Sequence, residues 1–181
     1  PFGAHNPGQR ELPFCIHTRY STQQAILEDI VASLYAQGMR KLIILSGHGG
    51  NNFKGMIRDL AFVYPDFLII AADWFSIVPP KDYFEAVVDD HAGESETSVM
   101  MHYHPELVNL AEAGDGESRP FAIPSLNEKV GWAPRHWDKA TVDSGVGNPK
   151  KASAEKGKRY MKPVVEKLAK LFTEVGLGSL Y

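Results

Sequence analysis

One cysteine in 181 residues, Cys15, leaves no partner for a disulfide within the chain and no set of thiolates for a structural zinc site. That scarcity points to a reducing, cytoplasmic compartment. Long hydrophobic runs are also missing, since no apolar stretch approaches the ~18–20 residues of a membrane span, and no membrane partner is expected. Charge of a single sign is lacking too. The 19 Lys and Arg against 22 Asp and Glu give a formal net charge of -3, so no basic surplus draws the chain to nucleic acid. There is no initiator Met: Pro1-Phe2-Gly3-Ala4-His5 reads as the end of a strand entering a loop, in a chain trimmed at its start or taken from a longer one. Repeats and low-complexity linkers are absent. What remains is ordinary, with 44% hydrophobic and 23% charged residues, which suits one globular domain whose partner is a small or neutral molecule.

The most informative stretch is Lys41 to Asn51, K-L-I-I-L-S-G-H-G-G-N. Leu42 to Leu45 has the unbroken apolar character of a strand buried on both faces, and the strand is expected to end at Ser46. His48, flanked by glycines, then stands beyond the carboxyl end of that strand, where open α/β sheets bind ligands. Gly47, Gly49 and Gly50 are expected to allow a tight turn through positive φ, with Asn51 capping the next helix. A helix over 51–64 and a second buried strand over 67–72 complete a βαβ unit, which implies parallel pairing and a right-handed crossover. Asp73 and Trp74 end the second strand on the same sheet edge as His48, with Trp74 as core or pocket wall. The glycines also admit a phosphate loop with Asp73 as a ribose acid, but G-x-G-x-x-G fails at Asn52.

Before this unit, Pro7, Gly8 and Pro13 keep residues 1–20 extended, His5 and His17 included. A helix is expected over 22–37, capped by Ser21 or Thr22, buried along Ala25, Ile26, Ile30, Val31 and Leu34, and stopped by Gly38. After it comes Asp89-Asp90-His91-Ala92-Gly93-Glu94-Ser95-Glu96, running into a helix that starts near Gly93 and stops before Pro105. Glu94 and Glu96 complement a helix N-terminus. With His91 beside them, they also supply the neutral nitrogen and hard oxygens of a divalent metal site or an acid/base pair. On an ideal helix the two glutamates point about 200° apart, so they need not share a role. Further on, Phe121 to Ile123 reads as a short strand and Gly145 to Pro149 as a turn. Trp132, His136 and Trp137 lie in an aromatic loop that covers a pocket or a subunit contact. A final amphipathic helix is expected over 153–175, kinked at Pro163, with its lysines in solvent.

S-G-H-G-G-N at 46–51 and H-A-G-E-S-E-T-S at 91–98, in this order, resemble the creatininase (creatinine amidohydrolase) family, and G-V-G-N-P at 145–149 with A-E-K-G-K-R-Y at 154–160 resemble its C-terminal region. The resemblance implies a three-layer α/β/α fold with a mostly parallel sheet, here a single domain over 1–181 that lacks the family's N-terminal strand and helix. It implies a homo-oligomer that hydrolyses a small cyclic amide or related ring substrate with a divalent metal, zinc or manganese, in a two-metal centre. By motif, His48 is a metal ligand, His91 moves protons and Glu96 accompanies it; Asn51, Asp73 and Trp74 are expected to contact substrate. Two departures stand out. The family's ligand glutamate two residues after the motif histidine is Gly50 here, a loss that Glu94 is expected to compensate, and its N-terminal E-x-H-G and following Asp have no counterpart. The alternative is a non-catalytic module that binds a small molecule or anion beside a vestigial metal site.

Overall fold

The computed structural model describes residues 3–4, 6–179 and 181, so His5 lies outside the described residues. The chain forms two compact units, one made of Pro1–His5, Ile16–Ile77 and Val164–Tyr181, the other of Asn6–Cys15 and Val78–Pro163.

In the first unit, β1 (Gly3–Ala4) and β2 (His17–Thr18) pair in parallel. The Gln23 side-chain amide donates to the carbonyls of Gly3 and Thr18, 3.1 Å each. Helix α1 (Tyr20–Ala36) begins without the expected Ser21 or Thr22 cap, because the Arg19 carbonyl accepts the N–H groups of both Thr22 and Gln23. It stops where expected. Gly38 adopts φ +85, which lets the Met39 N–H reach back to the Leu34 carbonyl. The buried stripe is rotated from the expected one: Leu27 and Val31 are buried with Leu34 packed beside them, whereas Ile30 is 45% exposed.

The apolar run does form β3 (Lys41–Ser46), which pairs in parallel with β4 (Leu68–Asp73) in register from Lys41↔Leu68 to Ser46↔Asp73. The crossover helix α2 (Lys54–Val63) starts three residues later than the apolar periodicity suggests. Residues 48–51 are held in a turn, and the Asn52 side chain rather than that of Asn51 accepts the Lys54 N–H at 3.2 Å. Met56 and Leu60 from α2 join Leu27, Val31, Phe67 and Ile69 in the core. Each such side chain contributes roughly 1.5–3 kcal/mol by leaving water.

In the second unit, β5 (Asp89–His91) pairs antiparallel with β6 (Val146–Gly147) across an irregularity between Asp89 and His91. The expected turn at 145–149 therefore contains a strand. Helix α3 (Glu94–Tyr103) follows β5 and ends before Pro105. Phe121 to Ile123 is not a strand, because the Asn127 side chain accepts the Phe121 N–H and donates to its carbonyl, leaving no ladder to join. Two short helices, α4 (Pro124–Asn127) and α5 (Trp137–Ala140), lie between. Helix α6 (Ala154–Leu177) passes through Pro163, beside which the boundary between the units falls. No helix among the described residues is long and apolar enough to cross a membrane.

Candidate active site

Strands β3 and β4 end level with one another, which gathers Ser46, His48, Asp73 and Trp74 at one sheet edge. Hydrogen bonds, main-chain and side-chain, close the loop there, and neither Gly47 nor Gly49 takes a positive φ. Ser46 Oγ and the Asn51 N–H both donate to the His48 carbonyl, at 3.3 and 3.2 Å, and the Trp74 indole N–H donates to the Gly47 carbonyl at 3.1 Å. A β-carbon on Gly49 would meet the Phe75 ring at 3.7 Å, ordinary contact, so these glycines are not needed to relieve strain there. Asp73 accepts Ser76 Oγ through its main-chain carbonyl, 2.9 Å. His48 is exposed, and its Nδ1 accepts the Gly50 N–H at 3.0 Å. In a neutral imidazole that places the proton on Nε2, so ligation through Nε2 requires the other tautomer and the loss of this bond.

The second unit holds the other expected residues, His91, Glu94 and Glu96. Here the geometry is specific. His91 Nδ1 lies 3.9 Å from Glu96 Oε2, and the same oxygen accepts the Ala92 N–H at 2.7 Å. Glu96 therefore reaches back across the helix start in the manner of a capping box and fixes itself beside the imidazole. Ala92 takes φ 51, a left-handed conformation that costs an L-residue about 1–2 kcal/mol. Replacing Ala92 by Gly is expected to leave thermal stability unchanged or raise it by about 0.5–1 kcal/mol, and a clear loss in a melting experiment would contradict that account. Asp89 completes the turn by accepting the Ser95 N–H on both carboxylate oxygens, 3.1 and 3.3 Å. The opposite wall is Trp137, a contact the sequence did not reveal. Its ring meets the His91 ring edge-on at 5.0 Å and 69°, and the Arg135 guanidinium stacks 4.9 Å from its centre while pairing with Asp90 at 2.7 Å. Trp132, from the same aromatic loop, is 86% exposed.

Glu94 diverges from Glu96, as the helical angle demands. Its side chain is fully buried, Oε2 accepts the N–H groups of Glu85 and Ala86 at 2.9 and 2.8 Å, and Oε1 accepts from the Lys156 ammonium. Lys156, expected in solvent, is instead four residues before Tyr160, Val164 and Leu168 in turn, on the buried stripe of α6. That spacing was the signal for it. Among the described residues no three His, Cys, Asp or Glu side chains gather as a metal site. The residues present do not by themselves fit a complete metal centre.

Two carboxyls of this unit respond to acid in opposite directions. Burial lifts Asp89 above its ordinary value, against the hydrogen bonds from Ser95. Hydrogen bonds from Lys151 and Lys156 instead lower Glu85 to about 2. Its folded value lies below the free one, so Glu85 stabilises the fold fully above pH 4.5 and loses that contribution as pH falls toward about 2. Asp89 favours the fold when protonated, the reverse sense. Glu85 is 59% exposed, so salt screens its pairs. Glu85→Gln is expected to flatten the acid limb of urea midpoint against pH, and about 1 M salt to do nearly the same; an unaltered limb in both would refute it.

A sequence model of the creatininase family, described as creatinine amidohydrolase, matches residues 1–172. The chain belongs to the creatininase family. It is 32% identical over 131 residues to the mycofactocin precursor peptide peptidase of Mycobacterium ulcerans (strain Agy99), covering 70% of this chain but only 45% of that relative. It is 24% identical to the creatinine amidohydrolase of Pseudomonas putida, covering 95% of this chain and 67% of that one. A crystal structure of a provisionally named creatinine amidohydrolase from Bacteroides fragilis NCTC 9343 matches at 83% identity and TM-score 0.97, covering 100% of this chain and 72% of the other. A crystal structure of creatinine amidohydrolase (creatininase) at 20% identity, TM-score 0.71, covers 96% and 72% and shows the same fold. The chain thus has the expected α/β architecture.

Proposed function

We propose that the chain is the proton-transfer part of a hydrolase that cleaves the C–N bond of a small amide, a cyclic amide or related ring in the first instance. The observation that carries this reading is the His91–Glu96 pair, fixed on one side by the Ala92 N–H and walled on the other by Trp137. Amide hydrolysis needs a proton on the departing nitrogen, because an amide anion leaves poorly. Water adds to the carbonyl carbon as His91 takes one of its protons, the C–N bond breaks, and His91 passes that proton to the departing nitrogen. Glu96, 3.9 Å from Nδ1, keeps the ring oriented. Trp137 excludes water from one face of the imidazole.

Creatininase structures of this fold include a Zn–Zn form and an Mn form. We extend a divalent-metal requirement to this family member with His48 as one ligand; bound metal would supply an activated water. Asn51, Asp73 and Trp74 are the proposed substrate contacts. A panel of small cyclic amides and short peptides, assayed with and without added zinc or manganese, tests the reading, and no turnover of any under either condition would reject it. The incomplete donor set favours a second reading, a small-molecule-binding module without catalysis, which predicts saturable binding on the same panel and no product.

A further inference from the structure

Only one glutamate of the His91 turn faces the histidine; the other is turned inward and given three donors. We propose that Glu94 is a positioning residue withheld from metal ligation: its carboxylate fastens the Glu85–Ala86 backbone and helix α6 to the first turn of α3. The two consecutive N–H groups converge on Oε2 at 2.9 and 2.8 Å, a geometry that a wandering side chain does not make. On Oε1 stands the Lys156 ammonium, whose other two protons go to Glu85 Oε1 and the Lys151 carbonyl, 3.0 Å each. All three of its donors are thereby used.

A divalent cation on Oε1 would have to displace that ammonium or lie against its charge. On Oε2 it would release two main-chain donors. Nor does α6 leave room to swing away, because Tyr160, one turn beyond Lys156, packs edge-on against Phe84 at 5.1 Å and donates its hydroxyl to the Val78 carbonyl at 3.0 Å. The loop entering β5 is therefore tied at Phe84, Glu85 and Ala86, and both ends of the segment that presents His91 are held by Glu94 and its neighbours.

The test separates hydrogen bonding from space filling. With Lys156→Met in both, Glu94→Gln keeps an acceptor oxygen and Glu94→Met, of nearly equal size, has none. Amide hydrogen exchange read by NMR is expected to be at least about tenfold faster at Glu85 and Ala86 in the Met pair, with the Leu60 and Ile69 amides unmoved. In the Gln pair both loop amides are expected to stay near the native rates. In the unaltered chain, adding zinc or manganese is expected to leave both protected, a measurement that stands even if the Met pair does not fold. Equal exchange in the Gln and Met pairs, or release of the two amides by metal in the native chain, would overturn the proposal. Neither measurement reads turnover, so failure here and failure of the hydrolase reading are distinguishable.

Discussion

Replacing His91 by Gln is expected to lower kcat on the amide identified from the panel by about 10²- to 10⁴-fold, with KM changed far less. Gln occupies similar space and leaves the Ala92 N–H bond to Glu96 untouched, so the turn at Ala92 should hold; what it cannot do is carry a proton to the leaving nitrogen near neutral pH. The loss should therefore fall on the chemical step and not on binding. Glu96→Gln makes a useful comparison. It keeps an oxygen for the Ala92 N–H but removes the charge beside Nδ1, so kcat should fall by less than in His91→Gln, the ring losing a partner but keeping its proton-carrying nitrogens. Steady-state rates at several pH values, with near-ultraviolet dichroism of Trp137 to confirm that the wall is intact, decide the matter. A His91→Gln chain with native kcat would remove proton transfer from this residue.

How far the sequence alone reaches depends on whether a residue's environment is set locally. The β3–α2–β4 unit was legible because Leu42 to Leu45 and Leu68 to Ala72 are apolar over their full length and a crossover helix has few other places to go. The strands β5 and β6 were not, being short segments containing Asp, His and Gly, whose pairing is decided by the partner backbone and not by propensity. In α1, the sequence put Ile26 and Ile30 in the buried stripe with Val31 and left Leu27 out, and only the packing of α2 against one side chose Leu27 and Val31. At the candidate site, His91 and Glu96 lie within one turn and their pairing follows from local geometry. Trp137 comes from a distant loop, and nothing near it announces that it will meet an imidazole. Lys156 could have been found, since a lysine in step with Tyr160, Val164 and Leu168 must either be wrong for the helix or have a buried partner.

That partner gives the second large effect. Lys156→Met is expected to destabilise the fold by about 3 kcal/mol, the lower end of the range for stranding one member of a buried ion pair. The lower end applies because Glu94, although fully buried, keeps the N–H groups of Glu85 and Ala86 and so is not left wholly uncompensated. Adding Glu94→Gln to Lys156→Met should recover most of the loss, because the pair is then replaced by a neutral amide that still accepts a loop N–H, beside a methionine able to fill the lysine's stem volume. The single Glu94→Gln, which leaves Lys156 with only the exposed Glu85 as counter-charge, should fall between them. A urea-unfolding double-mutant cycle measures all three. Additive single and double effects would mean that the Glu94 and Lys156 charges do not act as a pair, and the anchoring of α6 to the start of α3 would then have to come from the Tyr160 and Phe84 packing alone.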